Sequence, residues 1–338
     1  MRSVHETVAN PFADLAVAQL RRRTSAKWRV YPDDVLPLWV AEMDAVIASE
    51  IASAVQEALE IGDTGYPHGH GYAEALASFA ADRWGWSIDP ATTSQVTDVM
   101  SGVRGVVTTV SAAGEAVILT PPVYPPFFGV AKMYDRPIVS APLNAEGRLD
   151  PAALEAAFTE STSGGRGAVM LLCNPHNPTG TVHTRAELEM VASLARQYGV
   201  RVVSDEIHAP LVMPTSTLTP YLSVAGTEPD FAVTSASKGW NLAGFKAALV
   251  VAGADAVEDL KAPALHGGGH IAAIAHTAAF NHSRDWLDAA IAGIDDNRRL
   301  LGDLLETHLP ETRYQLPEAT YVGWVDCREL GLGDDPAA

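Results

Sequence analysis

Short apolar, β-branched runs recur through the middle of the chain, and each ends in small or polar residues. They are Ala116–Thr120 (AVILT), Ala168–Asn174 (AVMLLCN), Val200–Asp205 (VRVVSD), Phe231–Ser235 (FAVTS) and Ala247–Ala252 (AALVVA). Continuous apolar runs of this length read as strands buried on both faces of a sheet. Helical patterns separate several of them. In Arg185–Tyr198 apolar residues recur at helical spacing, with Thr184 available as N-cap. Strand and helix in alternation predict an α/β fold: a large domain built on a mostly parallel sheet flanked by helices.

Ligands of such sheets sit at the carboxyl ends of the strands. Tyr124 follows the first run, Asn177 follows the second, Asp205 ends the third, and Lys238 follows the fourth. Four polar or aromatic residues at the expected mouth of one sheet predict a site. Composition narrows what it serves. The chain has 338 residues, 47% of them hydrophobic, enough to bury a large core as about two domains or one domain with an appendage. A formal net charge of -18 argues against nucleic acid or an anionic membrane as partner. The two cysteines, Cys173 and Cys327, form no disulfide framework and no C-x-x-C metal spacing. Cys173, inside an apolar run, reads as core. The N-terminus (MRSVHETVANPF) has no apolar stretch behind a basic start, and no run of about 18 apolar residues could span a bilayer. A cytoplasmic protein is expected.

Glu50–Glu60 is a helix candidate and Gly65–Tyr72 (GYPHGHGY) a loop. After Gly267–Gly269 a long helical stretch runs through Asn297–Leu305 towards a smaller α+β domain, with strands expected within Tyr314–Asp326. The expected division is residues 1–40 as a segment packing with the small domain, 41–275 as the large domain, and 276–338 as the start of the small one. His68, His70, His266 and His270 have no carboxylate or cysteine at ligand spacing, so no metal is expected.

Pyridoxal 5′-phosphate (PLP) needs a lysine for its aldehyde, a carboxylate for its ring nitrogen, a donor for its phenolic oxygen and a nest of donors for its phosphate. This sequence offers a candidate for each. SASKGWNLAGFK (Ser235–Lys246) resembles the lysine motif of fold-type I PLP enzymes, the aspartate aminotransferase superfamily. NPHNPTG (Asn174–Gly180) resembles its asparagine loop and SDEIH (Ser204–His208) its aspartate strand, in matching order. VLPLWVAEMD (Val35–Asp44), TGYPHGHGY (Thr64–Tyr72) and TPPVYPPF (Thr120–Phe127) narrow the resemblance to the MalY/PatB group of cystathionine β-lyases, or C–S lyases.

The resemblance implies a role for each matching residue. Lys238 forms the imine with PLP and, once displaced by substrate, removes the Cα proton. Asp205 pairs with the pyridine nitrogen, Asn177 donates to the phenolic oxygen, and His208 stands where many relatives place a tyrosine for that oxygen. Tyr124 stacks on the ring. Ser235, Lys246 and the backbone amides of Gly102 and Val103 bind the phosphate. Tyr66 reaches the phosphate of a neighbouring subunit, which implies a homodimer with shared sites. The expected reaction is β-elimination from cystathionine or a related cysteine S-conjugate, with aminotransfer on the same scaffold as the alternative.

Ser235-Ala-Ser-Lys238 also fits the S-x-x-K pattern of serine β-lactamases and penicillin-binding proteins. There the serine opens a helix, whereas Ser235 ends an expected strand and no K-T-G follows. A non-catalytic binding relative would leave the retention of Lys238, Asp205 and Asn177 without a reason. Members of the superfamily continue past the point where this chain stops, into a stretch that holds the arginine for the substrate α-carboxylate. Nothing after Tyr321–Leu330 resembles it, and GLGDDPAA reads as a loop or helix start. A truncated version of the fold is therefore expected.

Overall fold

The computed structural model describes residues 9–13 and 15–333; the last five residues of GLGDDPAA lie outside them. At its centre is a seven-stranded sheet. Its strands are β1 (Thr93–Val96), β2 (Ala116–Leu119), β3 (Ile138–Ser140), β4 (Ala168–Cys173), β5 (Arg201–Asp205), β6 (Phe231–Thr234) and β7 (Ala248–Ala252), in the spatial order β1-β7-β6-β5-β4-β2-β3. β7 runs against both its neighbours, β1 and β6. The other pairs are parallel.

The continuous apolar runs follow from burial on two sides. Val169 and Leu171 of β4 join one core with Val103, Val106 and Phe127. Met170 and Leu172, alternating with them, join another with Leu154, Phe158, Leu188 and Val191. Eight helices are used below: α1 (Ser49–Glu60), α2 (Gly71–Trp84), α3 (Val99–Val110), α4 (Pro126–Met133), α5 (Pro151–Thr162), α6 (Arg185–Tyr198), α7 (His270–His282) and α8 (Arg284–His308). α3 and α4 cover one face, and α5 and α6 the other beneath β2, β4 and β5. A third core joins α1, α2 and α7 to β6 and β7 through Ile51, Phe79, Ala275, Ala232 and Leu249.

Local chemistry sets the ends of α6. The Thr184 hydroxyl accepts from the Glu187 amide at 3.2 Å, and the Glu187 carboxylate accepts from the Thr184 amide at 2.7 Å. This reciprocal cap contributes about 1 kcal/mol, and Gly199, at φ 68°, stops the helix.

Two strands escaped the sequence reading. β1 and β3 are the sheet edges, and their burial is partial, so neither carries a continuous apolar run. The long helical stretch after Gly267–Gly269 is two helices that break at Ser283. Within and beside Tyr314–Asp326 the strands shrink to Arg313–Tyr314 and Val325–Asp326, paired antiparallel. The first half of α8 buries Trp286, Leu287, Ala290 and Ile294. Its Gly293 lies so close to Asn10 and Phe12 that a Cβ there would meet them at 2.8 and 2.7 Å, which fixes the N-terminal segment against α8. No described helix is long and apolar enough to cross a membrane.

Candidate active site

A cavity of about 570 Å³ opens where β4, β5 and β6 end, and Lys238, Asp205, Asn177, His208 and Tyr124 all line it. Asp205 is the last residue of β5; Asn177 and Lys238 stand on the turns that leave β4 and β6. Leu38–Ala41 close another part of the wall. The Lys238 Nζ donates to the carbonyl of Ala41 at 2.7 Å, and the Tyr321 hydroxyl donates to the same oxygen at 3.0 Å. Asn241, at φ 58°, holds the strap from below. Its side chain accepts from the Met43 amide at 3.0 Å and donates to the Met43 carbonyl at 2.8 Å. Asparagine is among the few residues that take this left-handed conformation at low cost.

Burial governs the charges here. It pushes the Asp205 carboxyl up to about 7, against the Ile207 amide, which donates to it at 3.1 Å, and against the charge of Lys238. It pushes the Lys238 ammonium down, with Asp205 and Glu42 opposing and Lys246 reinforcing. An intimate ion pair would shift both the other way, and among the described salt bridges none joins these two residues. His208 is held neutral, its pKa pushed to about 3 by burial and then by Lys238, and its buried Nδ1 has no hydrogen-bond partner. Burial, then Asp205, raises the Tyr124 phenol. A buried site with unmet polar groups of both kinds is built for a polar ligand.

The neighbouring carboxylate, Glu206, faces away from the cavity. It accepts from the Tyr221 amide at 2.7 Å, from Ser204 Oγ at 3.1 Å and from Asn174 Nδ2 at 3.1 Å, tying the asparagine loop to the end of β5. Cys173 is almost fully buried yet lines the cavity, and burial raises its thiol far above the ordinary value, leaving it uncharged.

The expected phosphate donors Gly102, Val103 and Ser235 are corrected. The Gly102 amide donates to the Asp98 carbonyl at 3.0 Å inside α3, and Val103 lies one residue deeper, so neither amide is open to a ligand. Asp98 caps α3 and takes the Ser101 amide at 2.7 Å. The free first-turn amides are those of Val99 and Met100, and both residues line the cavity. Ser235 is not on the wall. Its hydroxyl donates to the Ala247 carbonyl at 2.7 Å and accepts from the Ser237 amide at 3.1 Å, closing the end of β6. That also removes the S-x-x-K reading, since Ser235 neither opens a helix nor bonds to Lys238. Lys246 stands at the start of α3, 3.1 Å from Asp98 Oδ2. Tyr66 is 96% exposed and away from the cavity of its own chain. Among the described residues no group of three or more metal-ligating side chains is arranged around a common point.

Residues 33–336 match the family model for aminotransferase class I and II. The chain belongs to that family. It is 52% identical over 333 residues to a relative from Mycobacterium leprae, covering 96% of this chain and 83% of that one. It is 31% identical over 312 residues to cystathionine beta-lyase PatB of Bacillus subtilis, covering 89% and 80%. Among solved structures, cystalysin from Treponema denticola, which contains pyridoxal 5′-phosphate, superposes with a TM-score of 0.87 at 26% identity, over 96% of this chain and 85% of that one. Members of the family share the mostly parallel sheet described above. In this member the sequence reading missed Tyr321, Ala41, Val99 and Met100. Three of these four act through backbone atoms or an apolar side chain; Ala41 lies inside VLPLWVAEMD, but nothing in that motif marks its carbonyl as cavity wall.

Proposed function

We propose that this family member is a PLP-dependent carbon–sulfur β-lyase that acts on cystathionine or a related cysteine S-conjugate, giving a thiol, pyruvate and ammonia. The observation that carries this reading is the meeting of Lys238, Asp205 and Asn177 on one cavity wall, in a chain 31% identical to a cystathionine β-lyase. The unmet groups of the cavity fit the cofactor. Asp205 lacks a cation, which a protonated pyridine nitrogen would supply; His208 Nδ1 lacks a partner; the Val99 and Met100 amides open at a helix N-terminus suited to a phosphate, with Lys246 paired to Asp98 just outside the cavity. When bound, PLP supplies an electron sink for the bond broken at the substrate Cα.

The roles of the chain's own residues follow. Lys238 would hold the PLP aldehyde, and its amine, once free, would take the substrate Cα proton. Burial lowers the pKa of that amine and so raises the share of free base near neutrality. Asp205 would hold the proton of the ring nitrogen, Asn177 and His208 would serve the phenolic oxygen, and Tyr124 would supply an aromatic wall. As the Cα–H electrons form a Cα=Cβ bond, the Cβ–S bond breaks and sulfur leaves as thiolate; hydrolysis of the remaining unsaturated amino acid gives pyruvate and ammonia. The apolar lining by Leu38, Trp39, Met100, Pro126 and Ile207 suits the thioether carbons on either side of the Cβ–S bond.

The same reading takes residues 41–275 as the cofactor domain, 276–338 as the start of the smaller one, and 1–40 as a segment packing with the smaller one. It also takes the protein as a cytoplasmic homodimer in which Tyr66 reaches the partner's phosphate. The exposure of Tyr66 supports that role, and the two free cysteines suit a reducing compartment. The test is to supply L-cystathionine without any keto-acid acceptor. Pyruvate and homocysteine are the expected products; strict dependence on an acceptor would reassign the chain to aminotransfer.

A further inference from the structure

The strap from Leu38 to Asp44 is held unevenly. Its far half is fixed by Lys27, whose Nζ donates to the Glu42 carbonyl at 2.8 Å, by Asn241 at Met43, and by Arg23, which donates to the Met43 carbonyl at 3.3 Å. Its near half, Leu38–Ala41, forms cavity wall, and Leu38 is 83% exposed. Among the described residues, side-chain hydrogen bonds reach that half at one atom alone, the Ala41 carbonyl oxygen, from Lys238 at 2.7 Å and Tyr321 at 3.0 Å.

We propose that Tyr321 is a positioning residue for Lys238: its hydroxyl pins the Ala41 carbonyl at the place where the lysine amine rests whenever it is not joined to the cofactor. The inference rests on the lyase reading above and adds a residue to it. A carbonyl oxygen accepts two hydrogen bonds, and here each acceptor position has its own donor. When the amine leaves to bind the cofactor, the Tyr321 hydroxyl is the remaining side-chain tie on the near half of the strap. The lysine stem has four rotatable carbons and no fixed direction of its own. A carbonyl held still gives the returning amine one landing point on the cavity wall, and proton transfer is sensitive to such placement. The phenol remains a donor throughout the working range, since burial, then Glu42, raises its pKa. Its ring meets His208 edge-on, with centroids 6.2 Å apart, a contact that phenylalanine would keep.

Tyr321→Phe therefore separates the hydroxyl from the ring. In the cofactor-loaded protein, amide hydrogen exchange over Leu38–Glu42 is expected to quicken, with visible absorbance and thermal midpoint unchanged. On L-cystathionine, kcat is expected to fall about tenfold while KM stays within about twofold. Unchanged exchange and unchanged kcat would assign Tyr321 to packing alone and overturn the proposal. Loss of cofactor or a lowered thermal midpoint in Tyr321→Phe would also overturn it, by making the hydroxyl a structural tie. The exchange measurement needs no turnover, so it reads the strap even if the lyase assay fails, which keeps the two failures apart.

Discussion

Asp205 and Glu206 are buried at the carboxyl end of β5 and Asp230 at its amino end, and burial pushes each carboxyl up to about 7. Glu206 and Asp230 are answered by neighbouring donors. Asp230 takes the Tyr221 hydroxyl at 2.9 Å and the Val202 amide at 2.8 Å. Asp205 takes one amide and faces the cavity, so its cost serves a ligand. With a folded pKa above the unfolded value of 3.8, Asp205 binds a proton on folding, and its ionisation costs stability increasingly as pH rises from about 4 through 7. Asp205→Asn should thus stabilise the cofactor-free chain at pH 8 by on the order of 2–4 kcal/mol, the gain fading as pH falls towards 4, while cofactor affinity drops. Urea unfolding at several pH values checks this; a gain that does not change with pH would contradict it. At this scale the sequence was most legible where identity and chemistry coincide. A lysine, an aspartate and an asparagine after successive apolar runs have few structural reasons to be there. Tyr321 was illegible because its partner is a backbone carbonyl 280 residues away, which leaves no local pattern.

α3 shows how a phosphate-binding stretch can be found and its donors still be misplaced by a turn. Its start is set by Asp98, whose carboxylate takes the Ser101 amide while the Ser101 hydroxyl accepts from the Asp98 amide at 2.8 Å. That cap places the open amides on Val99 and Met100, and it places Gly102 against the sheet. A Cβ on Gly102 would meet Val233 Cγ1 at 2.9 Å, Val250 Cγ2 at 3.0 Å and Val96 Cγ2 at 3.2 Å. The glycine is there for helix-to-sheet approach, not for phosphate. Alanine is the better helix former by about 1 kcal/mol, but forcing a methyl into this contact costs about 1–3 kcal/mol, so overpacking should win. Gly102→Ala is expected to lower stability in urea; a neutral or stabilising result would show that the three valines yield. The central strands and α6 were legible because two-sided burial and a reciprocal cap each write a pattern into consecutive residues. Edge strands β1 and β3, half wet, write none.

Across the whole molecule, the sheet's order brings residues from positions 124, 177, 205 and 238 to one cavity, and 41 and 321 join them there, which no linear spacing could disclose. Topology rules supplied the principle that strand ends converge. They could not say that a strap from the N-terminal segment and a tyrosine beyond α8 would complete the wall. The molecule's five lysines are Lys27, Lys132, Lys238, Lys246 and Lys261. Lys27 is buried against Asp44, Lys246 sits outside the cavity beside Asp98, and Lys238 alone lines it. The fold thus singles out one amine for covalent chemistry, and unfolding should abolish the distinction. The most direct measurement is to load the native protein with PLP, reduce with borohydride and locate the fixed cofactor by peptide mass. The expected result is a single modified peptide containing Lys238, absent from the Lys238→Ala variant and from protein denatured before loading. Fixation on Lys246 or another lysine, or none in the native protein, would contradict the account.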